Sequence, residues 1–297
     1  MSQPPNIVCL GEILWDLLPT GPQLGGAPSN LACHVASLGG IATILSRVGN
    51  DDLGHKALAL LRARGVQVDL VGVDSKVPTG TAGVELTSDG QPRFFIQEKV
   101  AWDRLTADER SRTAVAQAHA VCFGSLGQRT PEARAAIISL LAAASPTSTL
   151  LFDINLRAPF YDRSTLEASL KACRVLKLND GELDVLTHLF DLPGTGDVRA
   201  VELARRFDIE TVLLTLGADG SRLWSENRWF QEPGRRVEVR DTVGAGDSFT
   251  AAYVIGRMKG WSPEKILRTA SDVAAFVCTQ SGATPDLPDN LTAPFRS

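Results

Sequence analysis

The sequence predicts an α/β protein in which a central, mostly parallel sheet is flanked by helices on both faces. Short apolar runs of strand length alternate along the chain with segments of helical periodicity. Each run is almost continuously apolar, which is typical of parallel strands covered on both faces. The predicted strands cover residues 7–10, 42–48, 120–123, 149–153, 175–178 and 211–216.

Local signals support the helices between these strands. Thr130-Pro131 and Ser262-Pro263 each place a capping hydroxyl directly before a proline, and this arrangement favours a helix start. Gly65 follows an apolar helical pattern and predicts a helix end.

One segment departs from the alternation of strand and helix. Residues 81–86 and 93–96 have strand patterns on either side of Ser88-Asp89-Gly90-Gln91, which is a hairpin signal. Inside an α/β chain, such a hairpin is typical of a lid, an oligomer contact or an ordinary sheet edge.

The composition excludes several classes of protein. The formal net charge of −4 argues against a nucleic-acid partner, because nucleic-acid binding requires a basic face. No apolar run approaches the roughly 18 residues needed to span a membrane, and the N-terminus lacks the pattern of a signal peptide.

Five widely spaced cysteines in apolar stretches indicate buried thiols in a reducing compartment, so we expect a cytoplasmic protein. The four histidines show no metal-binding spacing.

The most informative segment is a glycine-rich turn near the C-terminus, Asp241-Thr242-Val243-Gly244-Ala245-Gly246-Asp247. An apolar helical pattern follows it, so residues 244–247 are expected at a helix N-terminus, where free N–H groups favour an anion. Asp247 lies within the same turn and can either cap the helix or accept a proton from an incoming hydroxyl. The P-loop pattern, with its lysine, is absent. This combination suits phosphoryl transfer.

These residues resemble the C-terminal signature of the ribokinase-like (PfkB-type) carbohydrate kinases. The N-terminal signature of that family resembles Gly25-Gly26-Ala27-Pro28-Ser29-Asn30-Leu31-Ala32. The resemblance implies a ribokinase-like α/β fold with a small β-strand lid. It also implies one kinase domain over residues 1–297, with lid strands from about 12–24 and 79–100. In such a kinase, Asp247 is the catalytic base, and Gly244, Ala245 and Gly246 form the anion hole with it.

The resemblance also implies where the sugar and the nucleotide bind. It places Asp16, Gly26 and Asn30 against the sugar, and it assigns Asn179, Thr215, Gly217 and Gly220 to ATP. Glu182 would act on Mg²⁺ through water, since Asn179-Asp180-Gly181-Glu182 is similar to the family's N-x-x-E motif. Asp241, Val243 and Gly282 would surround a K⁺ ion. Asp286 stands where many members of the family have serine, and this departure weakens the K⁺ assignment.

Three segments are similar to the fructokinase branch: residues 25–30, residues 78–103 and Asp153-Ile154-Asn155-Leu156-Arg157. They imply ATP-dependent phosphorylation of D-fructose to fructose 6-phosphate, with Arg157 near the sugar and a homodimer formed through the lid. Ribose, 2-keto-3-deoxygluconate and nucleosides stay open as acceptors, and so does a non-catalytic sugar or nucleotide sensor. A Rossmann dehydrogenase is disfavoured, because G-x-G-x-x-G does not follow the first strand.

Overall fold

The computed structural model describes residues 3–18, 21–86 and 92–296. Its strands are β1 (Asn6–Leu10), β2 (Leu14–Leu18), β3 (Gly21–Gly25), β4 (Ile41–Gly49), β5 (Gln67–Asp74), β6 (Gly80–Leu86), β7 (Pro92–Ile96), β8 (Ala120–Gly124), β9 (Thr149–Asp153), β10 (Val175–Asn179), β11 (Thr211–Thr215), β12 (Ser221–Ser225) and β13 (Arg228–Glu232).

The helices are α1 (Ala27–Ser37), α2 (Asp52–Ala63), α3 (Glu109–Ala116), α4 (Pro131–Leu141), α5 (Arg163–Ala172), α6 (Asp180–Phe190), α7 (Asp197–Phe207), α8 (Ala245–Met258), α9 (Pro263–Cys278) and α10 (Asp289–Arg296). The predicted caps are confirmed. Thr130 and Ser262 accept hydrogen bonds from the first turns of α4 and α9, and Gly65 has a φ of 79° just after α2.

The large sheet has the order β13-β12-β11-β10-β9-β8-β1-β4-β5, and the pairs from β11 to β5 are parallel. Strands β12 and β13 continue the sheet as an antiparallel pair at its edge. The predicted mostly parallel α/β architecture is therefore confirmed. All six predicted strands are present, whereas the sequence analysis did not identify β5, β12 and β13. These strands carry polar residues on a partly exposed face and lack a continuous apolar run.

Residues in the core strands alternate between the two faces of the large sheet. Along β1, Ile7 and Cys9 belong to the apolar cluster that contains α1, α8 and α9. Val8 and Leu10 belong to the opposite cluster, which contains α4 to α7. The period of two in a strand explains this division, and the cover on both faces explains why the strands are apolar throughout.

A second sheet has the order β3-β2-β6-β7 and stands next to the carboxyl end of β1. Strand β2 pairs in parallel with β6, while β3 and β7 are antiparallel to their neighbours. Strands β6 and β7 correspond to the predicted hairpin, and the predicted turn at Ser88-Asp89-Gly90-Gln91 lies outside the described residues. None of the helices in the described ranges combines the length and the apolar character needed to cross a membrane.

Candidate active site

A cleft of about 1670 Å³ lies between the small sheet and the carboxyl ends of the large sheet's strands. Ligands of open α/β sheets bind outside the carboxyl ends of the strands. Of the predicted site residues, only Gly282 is not part of its lining. Those that line the cleft are Asp16, Gly26, Asn30, Arg157, Asn179, Glu182, Thr215, Gly217, Gly220, Asp241, Val243, Gly244, Ala245, Gly246 and Asp247.

The N-terminus of α8 opens into this cleft. Gly244 precedes the helix with a φ of 79°, and a Cβ atom there would lie 2.1 Å from the carbonyl oxygen of Ala283. Only glycine therefore fits both the left-handed backbone and the close approach. The N–H of Ala245 donates to the carbonyl oxygen of Thr242 at 3.3 Å, while those of Gly246 and Asp247 have no partner inside the helix, and free donors at a helix start favour an anion.

Asp247 is the third residue of α8 and does not cap it, since the cap position is Gly244. Its Oδ2 accepts a hydrogen bond of 2.8 Å from Nδ2 of Asn30 on α1. Burial, together with the nearby carboxylate of Asp153, raises the pKa of Asp247 to about 6. The bond from Asn30 and the cations of Lys177 and Arg157 oppose this rise. The result is a carboxylate that is ionised at neutral pH and basic enough to accept a proton.

Helix α1 brings the predicted sugar-binding residues to the base. Gly26 precedes the helix with a φ of 96°, and a Cβ atom there would lie 2.6 Å from the carbonyl oxygen of Glu12. One turn beyond Asn30, the buried ring of His34 bonds through Nε2 to the carbonyl oxygen of Ala283 at 2.9 Å. Ala283 packs on Gly244, so α1 contacts both Asp247 and the segment that supports the glycine-rich turn.

A buried ion pair below the anion-binding turn was not identified from the sequence. Nζ of Lys177 on β10 lies 3.1 Å from Oδ1 of Asp153 on β9, and both side chains are about nine-tenths buried. A Cβ atom on Gly246 would lie only 3.0 Å from this ammonium. Thr250 on α8 donates to Oδ2 of Asp153 at 3.0 Å, which joins the pair to the same helix.

Lys177 is charged in spite of its burial. Burial lowers the pKa of Lys177, but the carboxylates of Asp153, Glu182 and Asp247 outweigh it and hold that pKa above its usual value. Lys177 lines the cleft, so its fixed positive charge faces the space beside the helix N-terminus. A lysine within an otherwise apolar strand is the sequence signal that could have indicated this ion pair, because a buried charge requires a partner.

Asp16 and Arg157, both predicted to bind the sugar, line the cleft. Asp16 is on β2 of the small sheet, and a Cβ atom on Gly25, which pairs with Leu14 in β2, would lie 2.2 Å from its Oδ2. Burial raises the pKa of Asp16, and the positive charge of Arg157 partly offsets that effect. Arg157 is exposed in the loop after β9, where its Nη1 donates to the carbonyl oxygen of Leu156.

Asn179 and Glu182 form a reciprocal capping box at the start of α6. Asn179 Oδ1 accepts from the backbone N–H of Glu182, and Glu182 Oε2 accepts from that of Asn179, both at 2.8 Å. Glu182 Oε1 accepts from the backbone N–H of Leu156 at 3.0 Å. A carboxylate oxygen has a second lone pair, so Glu182 fits a role toward Mg²⁺ through water and does not resemble a direct ligand. The described residues contain no group of three acidic, histidine or cysteine side chains that could hold a metal.

In the segment predicted to surround K⁺, the carboxylate of Asp241 already accepts hydrogen bonds from backbone N–H groups. Asp241 accepts from the N–H of Val243 at 3.0 Å and from that of Gly282 at 3.1 Å. Asp286 is exposed and pairs with Arg64 at 2.7 Å, away from this turn. The K⁺ site therefore stays a prediction, and no chemical step depends on it here.

The cleft is also lined by the three residues predicted to bind ATP in the turn after β11, which are Thr215, Gly217 and Gly220. Thr215 ends β11, and Gly217 and Gly220 both have positive φ in the turn that follows. A Cβ atom on Gly220 would lie 2.2 Å from the carbonyl oxygen of Glu232, so the turn packs directly on the end of β13. The two glycines of this turn leave bare backbone at the edge of the cleft.

The fold and this cleft define a sugar kinase: the chain belongs to the pfkB family of carbohydrate kinases, whose family model matches residues 20–290. Among curated relatives, fructokinase from Solanum tuberosum is 30% identical over 97% of this chain and 94% of its own length. Fructokinase-2 from Oryza sativa subsp. japonica is 29% identical over 97% of this chain and 92% of its own length.

Solved structures show the same architecture. Fructokinase from Xylella fastidiosa with bound ATP is 25% identical, covers 97% of each chain and superposes with a TM-score of 0.84. An uncharacterised sugar kinase from Pyrococcus horikoshii in complex with ATP is 27% identical, covers 94% of each chain and gives a TM-score of 0.81. The predicted ribokinase-like fold is thereby confirmed.

Proposed function

We propose that this sugar kinase transfers the γ-phosphoryl group of ATP to the terminal primary hydroxyl of D-fructose and forms fructose 6-phosphate. The observation that carries the proposal is the position of Asp247, which lies in the first turn of α8 and is held by Asn30 inside a cleft that contains both predicted half-sites. The relatives named as fructokinases support the choice of sugar.

In the proposed reaction, Asp247 accepts the proton of the sugar hydroxyl as the oxygen attacks the γ-phosphorus. The new oxygen–phosphorus bond forms while the bond from the γ-phosphorus to the bridging oxygen of ATP breaks, and ADP leaves with that electron pair. Charge on the transferred group is then stabilised by the first-turn N–H groups of α8. Asn30 orients the base, because its amide donates a hydrogen bond to Oδ2 of the Asp247 carboxylate.

Lys177 supplies the fixed cation that a P-loop lysine provides in other phosphoryl-transfer enzymes. Its ammonium lies next to Gly246 and is held there by Asp153, so no side-chain rearrangement is needed when charge develops on the phosphoryl group. Mg²⁺, when bound, neutralises phosphate charge, and the residue we assign to its water shell is Glu182.

The small sheet closes the sugar side of the cleft. Asp16 on β2 and Ala82, Gly83 and Phe95 on the predicted hairpin line the same cavity as Asp247. We propose that this sheet is a lid that excludes water, which would otherwise take the phosphoryl group.

A panel of sugars and nucleosides tests the proposed acceptor. With ATP and Mg²⁺, we expect ADP release to be greatest with D-fructose, and the product should be a 6-phosphate by NMR. Turnover of ribose or 2-keto-3-deoxygluconate without fructose would overturn the choice of sugar and leave the kinase family intact. If a sugar binds but no compound in the panel causes ATP turnover, the result would favour a non-catalytic sensor.

Glu182→Gln is expected to raise the Mg²⁺ concentration that gives half-maximal activity more than it raises the KM for the sugar. The amide keeps an oxygen for one of the two backbone N–H groups that Glu182 binds, but it loses the other bond and the negative charge assigned to the metal's water shell. Mg²⁺ titrations of ADP release measure the effect, and Asp180→Gln, which changes a carboxylate on the same turn, is the control. An unchanged Mg²⁺ titration with full activity would remove Glu182 from the mechanism.

A further inference from the structure

Glu12 is a buried carboxyl group beside the proposed base, and the proposed reaction leaves it without a role. It is 2% exposed and lies between β1 and β2. Its Oε1 accepts from the backbone N–H of Ala27 at 3.2 Å, at the first residue of α1. No donor or acceptor among the described residues reaches its Oε2, which has no contact with solvent. A buried carboxyl oxygen without a partner is costly, so it indicates a ligand or a water.

A small cavity adjoins both Glu12 and the base. Its volume is about 20 Å³, and about 10–15 Å³ is enough to hold one water when polar partners are present. Its polar side chains come from β9, from the first turn of α8 and from the segments that follow β1, β8 and β9. Those polar lining residues are Glu12, Ser125, Asp153, Asn155 and Asp247.

Asp247 must lose the proton it accepts before the next turnover. With sugar phosphate and ADP in the cleft and the small sheet closed, the direct route from Asp247 to bulk water is blocked. A second acceptor next to Asp247 would remove this restriction. Burial raises the pKa of Glu12 to about 7, so its carboxyl group can take up and release a proton near neutral pH.

We propose that Glu12 and one water in this cavity form a relay that receives the proton from Asp247. The Asp247 O–H bond breaks as its proton passes to the water, and the water gives one of its own protons to the Glu12 carboxylate. Asp247 returns to its ionised form, and Glu12 releases the proton when the cleft opens. This inference rests on the proposed role of Asp247 as the base.

The charges around Glu12 determine how the relay responds to pH. Ionised Asp247 raises the pKa of Glu12, while Arg157 lowers it, and burial has the largest effect. Because interaction between charges is mutual, ionised Glu12 also raises the pKa of Asp247. The charged groups on the neighbouring elements are Asp16 on β2, Asp153 on β9, Arg157 after β9, Lys177 on β10 and Asp247 on α8.

Glu12→Gln tests the relay, because the amide keeps the shape of the side chain and the acceptor for Ala27 but cannot take a proton. We expect kcat to fall by about an order of magnitude, less than the loss of about 10² or more for a direct general base. The midpoint of the acidic limb of the kcat–pH profile should move to lower pH, because the relay requires both Glu12 and Asp247 to be ionised, whereas the limb of the variant follows the protonation of Asp247 alone. The KM values for sugar and ATP should stay close to those of the wild type.

Two further variants serve as a control and as a second test of the relay. Glu98→Gln, which changes an exposed carboxylate that lines the cleft but not the small cavity, should leave the pH profile unchanged. Glu12→Asp keeps a carboxyl group one methylene further from the cavity and should recover part of kcat, and it serves as the test if Glu12→Gln does not fold. An unchanged kcat and midpoint in the Glu12 variants would overturn the relay, and so would a fall in kcat without any movement of the midpoint.

The failure of the relay is distinguishable from failure of the proposed function. If Asp247→Asn abolishes turnover while both Glu12 variants behave as the wild type, only the relay is wrong. If Asp247→Asn retains turnover, the proposed base is wrong and the relay falls with it.

Discussion

Asp247→Asn is expected to lower kcat by a factor near the upper end of the about 10²–10⁴ that a general base contributes. The amide occupies the same volume, and its oxygen can still accept the bond from Asn30. It cannot usefully take the proton of the sugar hydroxyl. The backbone donors of residues 244–246 are unchanged, so the affinity for ATP and the Tm should differ little from the wild type.

Steady-state kinetics, nucleotide binding by calorimetry and thermal unfolding together check this expectation. Asn30→Ala is an informative companion, because it removes the orienting bond but leaves the carboxylate, and it should lower kcat less than Asp247→Asn. The wild-type activity should also fall as the pH drops through about 6, where Asp247 becomes protonated. A variant that kept more than about a tenth of kcat would fall below the general-base range and contradict the assignment.

The glycine-rich turn at the start of α8 could be predicted from sequence because its information is local. Gly244 and Gly246 expose backbone at a helix start, and Asp247 is placed by the same turn. The predicted strands were identified for a similar reason: cover on both faces makes each of them continuously apolar. The box of Asn179 and Glu182 was also local, and the structure gives it the capping geometry that the spacing allowed.

The remaining site residues depend on contacts between distant segments. Asp153 and Lys177 end up side by side because β9 and β10 are parallel neighbours, with Lys177 directly paired to Asp153 in register. In the sequence each is an isolated charge in a separate apolar strand, so the ion pair appears only when the strand order is known. Glu12 likewise lines the same small cavity as Asp247 because it is bonded to the first residue of α1, on which α8 packs, and no local pattern encodes this arrangement.

The partly polar strands were missed for another physical reason. In β5 buried and exposed positions mix irregularly, and β12 and β13 form an antiparallel edge with polar residues on one face. Such strands lack the continuous apolar run that marks a doubly covered strand. Their absence from the prediction did not affect the catalytic turn, although β13 supports the turn at Gly220.

Lys177→Met is expected to lower kcat by about 10²–10³, the loss typical of removing one preorganised electrostatic contact to the transition state. Methionine fills a similar volume but has no charge beside Gly246. Because Lys177 lowers the pKa of Asp247, its loss should also move the acidic limb of the kcat–pH profile to higher pH. This shift is opposite in direction to the one expected for Glu12→Gln.

Stability must be separated from catalysis in this experiment. Lys177→Met leaves Asp153 as a buried charge without its cation, a change that typically costs about 3–5 kcal/mol. Adding Asp153→Asn removes that charge while keeping an acceptor for Thr250, so the double variant should regain much of the Tm. It should not regain kcat, because the cation beside the phosphoryl group is still missing. Recovery of both Tm and kcat in the double variant would show that Lys177 only neutralises Asp153, and the catalytic role assigned to its charge would be wrong.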